Sequence, residues 1–551
     1  YPLRTVGWEM IRGGQLPLWT PLVLSGYPLL SMSQLAFAYP LTWGYLFLPG
    51  YLAEQAYVLA PFLLSPAFTY AFARETGRSR PAALLAGLAF GYGGMMCSGI
   101  SFTGLPSNSM LWLPLFLIPI DRAATGRGRF VPLLIAATAA YAMSVLNGQG
   151  QSFLYTGIVA AAYGLYVSLF PPGRDARAES GAAHDNDGHD HDDAAGKSGW
   201  RELRRWRPLF VALGGLMMSA GIAAFQILET MRAVRRSIRN TLSYEAISAG
   251  AFTFKDAVAS LFMPLYYSTD VSAYVPSLAI VFAALTCFAL LAWRDEAHDT
   301  RIYFWIGVAV VGWVLMLGPN TPAQQVVYRL PLLNKFRVPS RHTFEWTFAL
   351  SILAAYGWDI AARRGWIGKP VAAPAGPRRG RETAVVALLL AVCVAIGIFW
   401  WRAVQVNALP GTYDYTGLSE SVFLVWKISF TLGVLALIWQ SARLGAPRAR
   451  AGFLMIAIAL ACFVEPSAGI SRWYAGMLLT EERFRLVSPT TRFLQNHPPE
   501  ANRAYTRVEL YSEEFNLTPR LEAPNLTALH GIHNVAAYEP LIFDRYSRAL
   551  G

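Results

Sequence analysis

The chain has 551 residues, of which 54% are hydrophobic and only 15% charged, with 17 Trp and 26 Tyr. A soluble core of this size rarely carries so little charge, so the composition excludes an ordinary soluble globular protein. The formal net charge of +12 does not indicate nucleic acid, because about half of the basic residues fall in short gaps between apolar segments, where they act as topology signals.

Residues 1–50 hold neither a signal peptide nor a spanning segment. Leu3, Val6, Met10 and the neighbouring Trp8 are spaced for one face of a short helix lying at the membrane surface. From Gly13 the segment Gly-Gly-Gln-Leu-Pro-Leu-Trp-Thr-Pro21, followed by Ser25-Gly-Tyr-Pro28 and Ser33-Gln34, excludes a helix through its X-Pro steps and glycines. It reads as a loop lying against the membrane or as a packed cap.

About twelve spanning helices follow, taking roughly 20 apolar residues per crossing. They are predicted near 52–73, 81–99, 107–121, 131–146, 152–170, 208–228, 276–293, 302–318, 343–361, 383–401, 422–440 and 451–465. Arginine-rich stretches occupy alternate gaps: Arg74 to Arg80, Arg122 to Arg129, Arg174 to Arg207, Arg294 to Arg301, Arg363 to Arg381 and Arg443 to Arg450. The gaps at 100–106 and 147–151 carry no charge, so the arginine-rich set is expected in the cytoplasm and both ends of the chain outside. A start outside without a targeting device implies an upstream helix, and the chain is expected to be a fragment of a longer protein.

The expected organisation is an extracytoplasmic loop at 1–50, a transmembrane domain at 51–465 with cytoplasmic linkers at 171–207 and 362–382, and an extracytoplasmic region at 466–551. The last region reads as the opening of a partial α/β domain, with a strand-like run from Tyr505 to Tyr511. Cys97, Cys287, Cys393 and Cys462 all fall in apolar segments, form no CxxC pair and read as core residues. Residues 174–199 and 368–381 are polar, low-complexity linkers, and the His184 to Asp193 run within the first reads as a solvated loop or an adventitious metal binder.

Several segments on the outer side carry chemistry. Asn147-Gly-Gln-Gly-Gln151 is a neutral amide cluster suited either to hydroxyl-rich ligands such as sugars or to turn formation, with Trp19 and Gln34 of the first loop as further sugar or acceptor contacts. Arg232, Arg235, Arg236 and Arg239 have the spacing of one helical face and would present four guanidinium groups to a phosphate or to anionic headgroups. Lys335, Arg337, Arg341 and His342 add a second cationic group before a helix, whose Glu345 pairs with Arg341 or favours the helix N-terminus. Glu9 and Asp270 are weak candidates for a catalytic carboxylate, each equally a cap or turn residue. Asn516 and Asn525 fit a glycosylation sequon too short to interpret.

Five segments together resemble the bacterial YfhO membrane-protein family: Gly13 to Leu41, Asn147 to Tyr155, Leu317 to Pro322, Asn334 to His342 and Ala536 to Tyr546. That family is similar to the GT-C glycosyltransferases, multi-helix enzymes that move a sugar from a polyprenyl-phosphate donor to an acceptor outside the cytoplasmic membrane. The resemblance implies an all-α polytopic fold, a polyprenyl-phosphate-sugar donor, a cell-envelope polymer or lipid acceptor, no certain cofactor beyond a possible divalent metal, and partnership with the bilayer. It also implies a catalytic aspartate before the Pro-Leu-Trp-x-Pro segment, here upstream of Tyr1. Where the family tends to show His-Pro-Gln, this chain reads Gly148-Gln-Gly-Gln151. A transporter or flippase and a non-catalytic envelope scaffold are the alternatives. Against an ion-coupled transporter, charges inside the spans are few, Lys427 and Asp359 being those noted.

Overall fold

The computed structural model describes residues 2–98, 103–172, 204–262, 271–292, 299–367, 420–441, 447–477, 487, 489–497, 526–535, 542–543 and 545–546. The helices used below are α1 (Pro2–Arg12), α2 (Gly50–Glu75), α3 (Arg80–Gly91), α4 (Leu105–Met110), α5 (Leu113–Ala124), α6 (Phe130–Leu146), α7 (Gly150–Leu169), α8 (Arg207–Ile222), α9 (Ala224–Arg235), α10 (Ser277–Ala292), α11 (Arg301–Met316), α12 (Ala323–Arg329), α13 (Thr343–Arg363), α14 (Glu420–Ser441) and α15 (Pro447–Met477). Helix occupies eleven of the twelve apolar segments; the tenth, 383–401, lies outside the described residues. Three helices, Gly50–Glu75, Gly150–Leu169 and the Arg448–Pro466 part of α15, are long and apolar enough to cross a membrane, and the bent pair α8 and α9 makes a fourth if it counts as one span. The remaining apolar helices are shorter than a full crossing, so the structure does not establish twelve crossings.

Three predicted segments are broken, each for a local reason. Segment 81–99 ends as helix at Gly91, where the chain turns so that Gly94 donates from its backbone N–H to the Tyr274 carbonyl at 2.7 Å. A Cβ at Gly94 would lie 2.4 Å from the Ser272 carbonyl oxygen, so a larger residue there would push the two segments apart. Segment 107–121 is divided between α4 and α5, since Pro114 lacks the N–H for Met110 and its ring crowds that carbonyl. Segment 208–228 turns through 77° at Ala223. Beyond that bend α9 is held along the first loop, with Gln226 Nε2 donating to the Ser33 carbonyl and Thr230 Oγ1 to that of Ser31, both at 3.2 Å.

At one end of the bundle the arginine-rich gaps at 74–80, 122–129 and 294–301 converge. Arg301 Nη1 meets Asp121 at 2.9 Å, its Nε meets Asp299 at 2.8 Å, and Nη2 donates to the Thr76 carbonyl at 3.1 Å. Arg78 reaches Asp299 at 3.3 Å and Asp359 at 3.7 Å, and stacks 4.0 Å over the Tyr356 ring. Arg122 and Arg127 both contact Glu75, at 2.8 and 3.4 Å. Burial would raise the Asp299 carboxyl, but the hydrogen bonds and charge of Arg301 with the charge of Arg78 hold it below the ordinary range. This gathering of alternate gaps at one end is what an up-and-down helical membrane protein requires.

At the opposite end α1 and the first loop form a small core of their own, with Leu3, Val6, Val23, Leu24, Tyr27, Leu29, Met32 and Leu35 packed together. The apolar face of α1 therefore points into protein rather than toward a membrane surface, correcting the interfacial-helix expectation in favour of a packed cap. Arg4 anchors α1 to α2, donating from Nη1 to both carboxylate oxygens of Glu54 at 2.8 and 2.7 Å beneath the Tyr57 ring. The C-terminal region joins the same cap, with Asn534 N–H donating to Leu22 carbonyl at 2.8 Å and Ile238 N–H to Ile542 carbonyl at 3.1 Å. Its described residues contain a helix, Pro489–Gln495, a 3-10 turn and isolated bridges; the strand-like run 505–511 lies outside the described residues.

Cys97 and Cys462 are buried as expected, Cys287 lies on an exposed face, and Cys393 is outside the described residues. Lys427, one of the few charges expected inside the spans, meets Glu465 at 2.9 Å, both side chains being buried. Glu465 also accepts from the Ser277 N–H at 3.0 Å and hydroxyl at 2.7 Å, so the pair caps α10 while tying α14 to α15.

Candidate functional site

The amide turn, the first loop and the cationic segment come together at the end of the bundle opposite the arginine gaps. Gly148 adopts φ +82°, and a Cβ there would sit 1.9 Å from the Ser33 carbonyl oxygen, so the turn requires glycine on both counts. Ser33 Oγ donates to the Gly148 carbonyl at 2.6 Å, and Gln34 Nε2 to Gln149 Oε1 at 3.4 Å. Asn147 is wholly engaged inside the protein: Nδ2 donates to the Leu105 carbonyl at 2.5 Å and to Ser109 Oγ at 2.8 Å, and Oδ1 accepts from the Tyr57 hydroxyl at 2.5 Å. Its amide builds the turn, and of the expected sugar contacts Gln34 and Gln149 remain half-buried and Trp19 exposed over Gly26.

Gln151 links this turn to the cationic segment. Its Nε2 donates to the Tyr155 hydroxyl at 2.9 Å and the Arg337 carbonyl at 3.0 Å, while its Oε1 accepts from Arg341 Nη1 at 2.8 Å. Val338 takes a left-handed conformation, φ +66°, immediately before Pro339. A β-branched residue there costs on the order of 1–3 kcal/mol, a strain held by the surrounding packing. The 3-10 turn Pro339–His342 that follows delivers His342 onto Tyr155, with ring centroids 4.2 Å apart at 20°. His342 Nδ1 lies 3.1 Å from Glu345 Oε1, and Glu345 Oε2 is buried without a hydrogen-bond partner.

These residues head a cavity of about 450 Å³ between α7, α11 and the 323–345 segment. Its polar end holds Tyr155, Arg337, His342 and Glu345; its walls are Ile158, Val159, Ala162, Gly307, Val308 and Val311. The lining along α7, from Tyr155 to Tyr166, corresponds to roughly 16 Å of helix, about half the thickness of a bilayer core. Ile158, Tyr303 and Val311 on its rim are 47%, 48% and 56% exposed, so the groove opens through apolar side chains. The Arg337 side chain is exposed and makes no hydrogen bond among the described residues. An apolar trough closed at one end by the Arg337 guanidinium, an imidazole and a carboxylate, with Arg341 outside the lining but linked to it through Gln151, suits an amphiphile with an anionic head.

The arginine stripe is not a single helical face. Helix α9 stops at Arg235, Arg236 is its C-cap, and Arg239 falls in a separate 3-10 turn, Ile238–Thr241. The turn forms because the Ser237 hydroxyl accepts from the Arg239 N–H at 3.2 Å, and Arg232 pairs instead with Glu229 one turn back. None of the four arginines lines the cavity, although Lys335 donates to the Asn240 carbonyl and so joins the two cationic segments. Glu9 is exposed on α1, away from the cavity lining, and partial burial lifts its carboxyl above the usual range against the pull of Arg12. Asp270 and the His184 to Asp193 run lie outside the described residues. Among the described residues no group of three or more His, Cys, Asp or Glu is placed to hold a metal ion.

The inward-facing charges were the residues least visible in sequence. Glu54 and Asp121 sit within apolar segments, and a carboxylate in such a run is itself a signal for a buried partner, supplied here by Arg4 and Arg301.

The chain is similar to a solved structure, the crystal structure of ArnT from Cupriavidus metallidurans bound to undecaprenyl phosphate, at 13% identity and a TM-score of 0.40, covering 97% of this chain and 84% of that one. No protein-family model and no curated protein matches the sequence, so the resemblance to the YfhO family rests on its five segments alone.

Proposed function

We propose that this protein is a membrane glycosyltransferase that takes a sugar from a polyprenyl-phosphate donor and transfers it to a cell-envelope acceptor on the extracytoplasmic side. The observation that carries the reading is the apolar groove with the Arg337 guanidinium at its polar end. The groove takes the first part of the lipid chain, the remainder running in the bilayer, and Arg337 and Arg341 hold the phosphate. Their charge stabilises the phosphate as it leaves with the bonding electrons, an effect strengthened by the apolar walls. Gln151 keeps Arg341 in place, and Trp19, Gln34 and Gln149 border the approach of sugar or acceptor.

Transfer of radiolabelled sugar from a polyprenyl-phosphate donor, with the full protein in nanodiscs, tests the reaction, and retention of labelled polyprenyl phosphate tests the site. Replacing Arg337 and Arg341 together with Gln removes charge-assisted hydrogen bonds of about 1.5–3 kcal/mol each, so lipid-phosphate affinity is expected to fall at least tenfold. Unaltered affinity removes the phosphate site, and retention of the lipid without any transfer leaves a lipid carrier in place of a transferase.

The Arg235 and Arg236 pair is assigned the outer approach of the donor rather than its seat. Replacing both with Gln is expected to lower turnover at limiting donor by a factor of about 2–5, vanishing at high salt as exposed charges are screened. Turnover unchanged at low salt and limiting donor removes them from the donor's path.

A further inference from the structure

We propose that His342, in place of the aspartate that the family resemblance implies, takes the proton from the acceptor hydroxyl and that Glu345 positions it, an assignment that rests on the transfer reaction proposed above. His342 and Glu345 both line the cavity, at its cationic end. A carboxylate only accepts hydrogen bonds, so the 3.1 Å contact to Glu345 Oε1 places the ring proton on Nδ1 and leaves the lone pair on Nε2. Nε2 makes no hydrogen bond among the described residues. The ring cannot turn freely, because Tyr155 stacks on it at 4.2 Å from α7. Gly312 of α11 packs against the backbone that carries the pair, where an added Cβ would lie 3.2 Å from the His342 carbonyl oxygen and 3.4 Å from Glu345 Cβ.

The second oxygen of Glu345 gives the pair its direction. Oε2 is buried and unpartnered, an arrangement that costs free energy unless the charge it holds is used. An imidazolium formed at His342 would sit directly against that carboxylate, which offsets the cost of creating a cation inside an apolar cavity. Among the described residues, the charged and titratable groups that share this end of the cavity with His342 are Tyr155 from α7, Arg337 from its own segment and Glu345 one turn on.

In the step itself the acceptor oxygen forms its bond to the anomeric carbon while the bond from that carbon to the phosphate oxygen breaks. The phosphate keeps the electron pair, and the hydroxyl proton passes to His342 Nε2. The phosphate thus gains one negative charge as the imidazole gains one positive charge, and the cavity's net charge is unchanged by the donor's cleavage. Placing both events at the closed polar end of the groove uses the low dielectric there instead of working against it.

The test is the pH profile of transfer by the full protein in nanodiscs, alongside retention of the polyprenyl-phosphate-sugar donor. His342→Gln is expected to hold the donor within about threefold of wild type, to lower kcat about 10²-fold or more, and to lose the ionisation that limits kcat on the acid side. Glu345→Gln is expected to leave donor retention within about threefold of wild type and to lower kcat by less than His342→Gln does. Adding it to His342→Gln should bring no further loss, because Glu345 acts through the imidazole. An acid limb that survives in His342→Gln, with kcat within threefold of wild type and the donor still bound, overturns the proton assignment alone. Failure of the wild-type protein to retain the donor overturns the transfer reading, and this assignment with it.

Discussion

Replacing Arg301 with Met is expected to destabilise the folded protein by about 3–5 kcal/mol, the range for breaking one partner out of a buried ionic cluster. Asp121 is fully buried and one of its oxygens already lacks a partner, so loss of Arg301 leaves a carboxylate supported, among the described residues, by the Tyr163 hydroxyl at 2.6 Å. Asp299 retains Arg78 and the Tyr356 hydroxyl, and therefore suffers less. Adding Asp121→Asn to Arg301→Met removes the stranded charge and should return part of the loss, a coupling that the double-mutant cycle measures directly. The effect also has a pH signature. Because Asp299 is held below its unfolded value of about 3.9 by Arg301 and Arg78, its contribution is complete above that pH and lost as the pH falls through the depressed folded value. Wild type and Arg301→Met should therefore converge on acidification below about pH 4. Thermal denaturation in detergent across pH 3 to 7 reads both; equal midpoints at pH 7 would show that the cluster does not hold the helix ends together.

That cluster also shows why part of the fold was legible in the sequence and part was not. The positions of the helices follow from apolar run length, and the gathering of the arginine gaps at one end follows from their alternation. The carboxylates those arginines meet lie far apart in the chain, as with Asp121 and Arg301, and no local periodicity announces the pairing. The same holds for the candidate site. Gln151, Arg341 and His342 stood out as polar residues beside apolar helices, but their convergence depends on Gly148 allowing the amide turn to sit against Ser33 and on the left-handed Val338. Where sequence spacing was trusted across a break it misled. The i, i+3, i+4, i+7 pattern from Arg232 to Arg239 assumed a continuous helix, whereas Ser237 supplies a side-chain acceptor that begins a new turn. The two alternatives for Glu345 divided: it lies in the first turn of α13, where a carboxylate favours the helix N-terminus, and it meets His342 Nδ1 at 3.1 Å rather than the Arg341 guanidinium.

Filling the groove with protein is expected to exclude the lipid while leaving the fold intact. Gly307 lies on the cavity wall in the middle of α11, and a Cβ added there meets nothing within 4 Å. Gly307→Trp therefore projects an indole into free space, and removing a mid-helix glycine favours the helix by about 0.5–1 kcal/mol. Displacing even two methylene contacts of a lipid chain, at about 0.8 kcal/mol each, weakens binding about tenfold or more. Labelled polyprenyl phosphate should accordingly dissociate from Gly307→Trp at concentrations that saturate wild type, with the thermal midpoint equal to wild type or higher. Gly452→Trp is the matched control, because that glycine also has open space around it but lies on α15, away from the cavity lining. Equal loss in both variants would point to a general effect of an added indole, and full lipid retention in Gly307→Trp would place the chain outside the groove. Loss confined to Gly307→Trp ties lipid binding to the groove between α7 and α11, and separates that apolar contribution from the phosphate contacts of Arg337 and Arg341.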